Sequence, residues 1–185
     1  MQVVSLAIAD VKLLTPVRHG DARGYFSEVF STRAFSEAGI EATFVQDNQS
    51  LSVAKGVVRG LHFQTPPHAQ GKLVRSVRGA IFDVAVDIRF GSPTFGRYVT
   101  ATLSAENGAQ LWVPPGFAHG FCTLEPETEI IYKVTDFYAP ACDKGLRWND
   151  PALSIPWPVA AADAILSEKD RLQPLFSAIE PWFRY

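Results

Sequence analysis

The chain has 185 residues, enough for one compact domain with a single sizeable core. Its 47% apolar and 19% charged residues are ordinary for a globular protein, and no apolar run approaches the length of a bilayer span. A formal charge of −2 supplies no overall field, which argues against nucleic acid and membrane partners and leaves any phosphorylated ligand to a local cluster of Arg and Lys.

At the N-terminus there is no basic stretch followed by an apolar run and a small-residue cleavage site, so no signal peptide is expected. Thr32 to Ala38 predicts a short helix closed by Gly39, a residue suited to a C-terminal cap. From there the chain reads mainly as strands. Phe44 to Ser52, Lys72 to Arg78, Ala80 to Arg89, Arg97 to Leu103, Ala109 to Val113, His119 to Thr123 and Glu129 to Asp136 are rich in Val, Ile, Phe and Tyr. Gly, Pro, Asn or Ser separates them. Strands at this spacing, with little helix between, predict a β-sandwich or barrel rather than an alternating α/β fold.

Along Ile81 to Arg89 one face is purely apolar (Phe82, Val84, Val86, Ile88), while the other carries Asp83 and Asp87. A polar barrel interior explains that second face, and so does plain solvent exposure. Pro156 to Pro158 reads as an extended connection, and Ser167-Glu168-Lys169-Asp170 as a capped turn with Ser167 as the capping residue. Neither a repeat nor a linker divides the chain, so residues 1–185 are expected to form one domain. Cys122 and Cys142 lack metal-type spacing and read as reduced thiols of a cytoplasmic protein.

Three dense polar clusters interrupt this pattern. They run from His19 to Glu28, from Gln46 through Arg59-Gly60-Leu61-His62-Phe63-Gln64 to Lys72, and from Pro114 to Phe121 with Tyr132, Lys133 and Tyr138 following. Turns need Gly and Pro, but not Arg, His and Lys packed so closely. The run Pro114-x-Gly-x-x-His119 resembles half of a cupin metal motif. The other half calls for an acidic ligand where this chain places Lys72, and an ammonium repels a cation. His62, His68 and His119 still offer three nitrogens, so a metal-dependent cupin stays open at this stage.

Without a metal, the same groups suit proton transfer beside a ketone. Such chemistry needs a base of matched pKa, a cation at the forming enolate oxygen, and a second acid to return a proton to the opposite face. His62 suits the base, Lys72 the cation and Tyr132 the acid. No dinucleotide fingerprint or P-loop is present, and this chemistry calls for no cofactor. Each residue also has a plain reading: His62 as a satisfied strand histidine, Tyr132 as a core tyrosine with its hydroxyl at the rim, Lys72 as a solvated edge charge.

The matches extend further, in order. They are Asp-x-Arg-Gly-x-Phe-x-Glu (Asp21 to Glu28), Phe-Val-Gln-Asp-Asn-x-Ser (Phe44 to Ser50), Val-Arg-Gly-Leu-His-x-Gln (Val58 to Gln64) and Gln-Gly-Lys-Leu-Val (Gln70 to Val74). Asp-Val-x-Val-Asp-x-Arg (Asp83 to Arg89), Pro-x-Gly-Phe-Ala-His-Gly-Phe (Pro114 to Phe121) and Trp-Asn-Asp-Pro (Trp148 to Pro151) follow. In this arrangement the chain resembles the dTDP-4-dehydrorhamnose 3,5-epimerase family from about Val11 to Pro174.

The resemblance implies a cupin-type jelly-roll with a few short helices, mostly near the C-terminus. It also implies a homodimer whose N-terminal strands add to the partner's sheet, and cofactor-free conversion of dTDP-4-dehydro-6-deoxy-D-glucose to dTDP-4-dehydro-L-rhamnose. His62 matches the family's base, Tyr132 its acid, and Asp170 the carboxylate that orients the base. Arg59 and Lys72 match residues around the sugar and its keto oxygen, and His119 lines the same pocket. Arg23, Glu28, Gln46, Asp47, Asn48, Asp143 and Lys169 match the nucleotide side, with Arg23 and Glu28 serving the neighbouring subunit. Tyr138 matches an aromatic that helps separate double from single epimerases. The nearest rival is therefore a single epimerase of a related nucleotide-linked 4-keto-6-deoxysugar. A sugar-nucleotide-binding module without catalysis is a third reading, disfavoured because binding alone needs neither a base nor an acid.

Overall fold

A computed structural model describes residues 1–185. In chain order the strands are β1 (Gln2–Ser5), β2 (Lys12–Thr15), β3 (His19–Asp21), β4 (Gly24–Phe26), β5 (Gln46–Ser52), β6 (Val58–Gln64), β7 (Lys72–Arg78) and β8 (Ala80–Asp87). After them come β9 (Arg89–Phe90), β10 (Tyr98–Ser104), β11 (Gln110–Val113), β12 (Phe117–Thr123), β13 (Thr128–Val134), β14 (Asp143–Gly145) and β15 (Phe183–Arg184). Helix α1 (Thr32–Glu37) precedes β5, while α2 (Glu168–Arg171) and a 3-10 turn (Phe176–Ala178) lie near the C-terminus. No helix is long and apolar enough to cross a membrane.

Two antiparallel sheets face each other. One has the order β1-β2-β11-β7-β13-β5 and the other β10-β8-β12-β6-β14. Between them lies a core of Val74, Ile81, Ala85, Leu111, Phe121, Ile130 and their neighbours, the inward residues of alternating strands. The fold is the mainly β, cupin-like sandwich that the sequence predicts.

Both outer faces are also covered. Leu14, Leu73 and Trp112 on the six-stranded sheet pack against Phe35 of α1 and Ile40. On the five-stranded sheet, Leu61, Phe63, Val84, Val86 and Ile88 pack against Leu146 and Leu153, with Trp157, Phe176 and Phe183 of the C-terminal segment around them. That strap ends where β15 pairs with β9. The alternation in β8 is thereby explained, since both of its faces are buried. Asp83 and Asp87 are fully enclosed, which removes the solvent-exposed reading of the acidic face. Asp87 accepts bonds from the Arg89 backbone and guanidinium and from the Ser92 and Thr94 hydroxyls.

The predicted helix and all seven predicted strands are present with shifts of a few residues, and the run read as Ala80 to Arg89 divides into β8 and β9 around Ile88. Ser167 caps α2, its side chain accepting the Asp170 N–H. Strand β6 was hidden inside a polar cluster, where Arg59, Gly60, His62 and Gln64 mask the apolar rhythm. The short strands β1 to β4 and β14 carried too few residues for a period to show.

Candidate active site

The site begins with a defect in pairing. Along β6 and β12, His62 stands opposite His119 and Arg59 opposite Phe121, so Gly60 and Leu61 together oppose Gly120 alone. In a regular strand, residues three apart face opposite sides. The extra residue of this bulge turns Arg59 and His62 toward the same space. Only glycine fits at position 60. Its φ is +127°, and a Cβ there would lie 2.5 Å from the Gly120 Cα and 2.8 Å from the His119 carbonyl oxygen.

A cavity of about 580 Å³ opens between the sheets, and Arg59, His62, Lys72, His119, Tyr132 and Asp170 all line it. A second lobe of about 280 Å³ shares His62, Lys72 and Tyr132 and is otherwise polar, with Gln46, Asn48, Tyr138, Asp143 and Lys169 in its wall. The two lobes therefore form one cleft with the three shared residues at its waist. His62 comes from the five-stranded sheet and Tyr132 from the six-stranded one, so the pair reaches the cleft from opposite walls.

His62 Nε2 lies 2.5 Å from Asp170 Oδ1. Asp170 is buried, and its other oxygen accepts from the Ser167 hydroxyl at 2.9 Å. Burial alone raises its pKa. The bond and charge of His62, the Ser167 bond and the charge of Lys169 outweigh that effect, so the group stays below the usual carboxylate range. A carboxylate on Nε2 fixes that nitrogen as the protonated one and leaves the Nδ1 lone pair to accept a proton.

Lys72 is a buried interior residue, not the edge charge of its plain reading. Its Nζ donates to the His62 carbonyl at 3.2 Å. Burial pushes its pKa down to about 8, with Asp143 and Asp83 opposing and Lys169 adding to the fall. Burial also raises the Tyr132 phenol, against Arg59 and with Asp143, so it is a protonated donor at neutral pH. His119 and Asp83 form a second enclosed pair at 2.7 Å, from β12 and β8.

In the polar lobe, Tyr138 donates to Asp143 at 3.0 Å, which raises the phenol, and Asp143 also pairs with Lys169. Gln46 bonds Asn48 and accepts the Tyr138 N–H. Three expected nucleotide-side residues lie elsewhere. Asp47 points to the opposite face of β5 and pairs with Lys133 at 3.0 Å. Arg23 and Glu28 are exposed at the β3–β4 hairpin, where Arg23 is paired with Asp21. His68, the third nitrogen of the metal alternative, sits 3.2 Å from Asp136, and no three His, Cys, Asp or Glu side chains converge on one point.

Sequence reasoning missed Asp83 and Ser167 as parts of the site. A carboxylate inside an otherwise apolar strand was the signal for Asp83. Ser167 was legible only as a cap.

A family model described as dTDP-4-dehydrorhamnose 3,5-epimerase matches residues 5–178. The dTDP-4-dehydrorhamnose 3,5-epimerase of Sinorhizobium fredii is 57% identical over 185 residues, covering 100% of this chain and 94% of that protein. That of Pseudomonas aeruginosa is 54% identical over 178 residues, covering 96% of this chain and 97% of that protein. Among solved structures, the dTDP-6-deoxy-D-glucose-3,5-epimerase of Legionella pneumophila Philadelphia 1, in complex with dTDP-4-keto-L-rhamnose, superposes with a TM-score of 0.94. Its sequence is 44% identical, covering 100% of this chain and 98% of that one.

Proposed function

The chain belongs to the dTDP-4-dehydrorhamnose 3,5-epimerase family, and from that premise we propose that it converts dTDP-4-dehydro-6-deoxy-D-glucose to dTDP-4-dehydro-L-rhamnose by inverting carbons 3 and 5. It is an isomerase. The observation that carries the mechanism is the cleft waist, where a carboxylate-held imidazole and a phenol reach one space from opposite sheets beside a buried lysine.

Both carbons flank the same C4 carbonyl. His62 takes the proton from one of them, and the C–H electron pair moves into the carbonyl to give an enolate. The Lys72 ammonium stabilises the enolate oxygen. Tyr132 then delivers a proton to the opposite face as the carbonyl re-forms, and the same oxygen serves when the second carbon is inverted. One proton leaves and one returns at each carbon, and between the two inversions His62 releases its proton to solvent while Tyr132 regains one, so no redox coenzyme enters the balance. Arg59 and His119 border the sugar end. Gln46, Asn48, Tyr138, Asp143 and Lys169 face the nucleotide, an amide and cation set suited to a pyrimidine edge and a diphosphate.

The same reading makes the enzyme a cytoplasmic homodimer in which Arg23 and Glu28 serve the partner's cleft. In its support, all four residues of β1 are exposed at a sheet edge, and Tyr25 and Phe26 on the hairpin are 61% and 73% exposed. Both cysteines are free. A single epimerase is not favoured, because the relatives at 54–57% identity are double epimerases.

The test is incubation with dTDP-4-dehydro-6-deoxy-D-glucose in heavy water with a chelator, followed by mass and NMR analysis. Deuterium at carbons 3 and 5, with inversion at each, is the expected result. Deuterium at one carbon would make the enzyme a single epimerase, and none would remove the assignment. His62→Ala should abolish exchange at both carbons, and near-normal exchange would take His62 out of its role.

A further inference from the structure

We propose that Ser167 is a positioning residue for the base, its hydroxyl holding one oxygen of Asp170 so that the other is fixed on His62. The geometry is reciprocal. Ser167 Oγ accepts the Asp170 N–H at 3.1 Å and donates to Asp170 Oδ2 at 2.9 Å, while Oδ1 meets His62 Nε2. A hydroxyl that accepts from that N–H has its hydrogen free for the carboxylate, so one side chain both starts α2 and sets the rotation of the Asp170 carboxyl. Ser167 also lines the cavity beside His62.

The hydroxyl does more than hold. A donor on Oδ2 draws charge from the carboxylate and weakens its hold on an imidazolium. The other charged and titratable groups around the pair are Lys169 on α2, Arg59 on β6, Lys72 on β7, Asp83 on β8, His119 on β12, Tyr132 on β13 and Asp143 on β14.

The inference rests on His62 being the base, yet its first readout needs no substrate. The imidazole titration of His62 is followed by NMR in the full-length protein, with His62→Gln assigning the signal. Ser167→Ala should raise the midpoint by roughly half a pH unit or more. Ser167→Thr, which keeps the hydroxyl, should restore it. In turnover, Ser167→Ala should lower kcat roughly tenfold with KM nearly unchanged, since the group touches the base and not the nucleotide lobe. A lost cap alone would lower Tm and leave the titration where it is. An unmoved or lowered midpoint in Ser167→Ala, or a Thr variant that fails to restore it, would overturn the inference while leaving the epimerase assignment standing.

Discussion

At the scale of single residues, the buried lysine makes a sharp statement about pH. Enolate stabilisation requires the ammonium, and burial has brought the Lys72 pKa down to about 8. The cation is populated below that value and is lost as pH rises through it. Turnover should therefore fall across roughly pH 7 to 9 in a limb carried by Lys72. Lys72→Met should lower kcat by about 10²- to 10³-fold and erase that limb. A limb that survives in the variant would assign it to another group. Tyr132→Phe should reduce net inversion more than deuterium uptake; equal losses would mean that the phenol only shapes the pocket. Much of this chemistry was legible as residue types, because His62, Lys72 and Tyr132 are the groups that proton transfer beside a ketone calls for. Their burial was not legible, since the partners that enclose them come from distant strands.

At the scale of elements, the bulge in β6 is the feature that no periodicity could predict. The sequence offered Arg59, His62 and Gln64 as an interrupted polar run. Only the pairing with β12 reveals that one extra residue brings Arg59 and His62 to the same side. Gly60→Ala should cost about 2 kcal/mol or more from the positive φ alone. The clash with the Gly120 backbone adds to that. Thermal melting and turnover should both suffer, and a folded variant with normal turnover would show that the alignment does not depend on this glycine. Gln64 repeats the lesson. Its buried amide donates to the His68 and Phe137 carbonyls and accepts the Ala139 N–H. Its polarity is committed to fixing the loop that presents Tyr138. Strands such as β7, with no such interruptions, were readable to the residue.

At the scale of the whole molecule, the cleft of one chain gathers His62, Lys72, Tyr132 and Asp170 beside a polar lobe, while Arg23 and Glu28 lie exposed on and just after the β3–β4 hairpin. If the partner's copies complete the site, activity and assembly are linked. Replacing Val3 and Val4 on β1 by aspartate should yield a monomer, checked by sedimentation, whose affinity for dTDP is about tenfold weaker. A monomer of normal affinity would remove the partner from the site. The two-sheet architecture was legible from regular strands and scarce helix. Which faces are covered was not, because the strap over the five-stranded sheet is largely irregular chain.

That strap has a consequence in time. His62 and Asp170 are 108 positions apart. During synthesis the histidine emerges long before its carboxylate, and the jelly-roll strands can pair while the His62–Asp170 contact is still unformed. On the proposed mechanism, competence arrives only when the tail is laid across the finished sheet. Onset of turnover during refolding should lag behind strand formation, followed by circular dichroism, and coincide with the packing of Trp157 against Trp148 and Phe82.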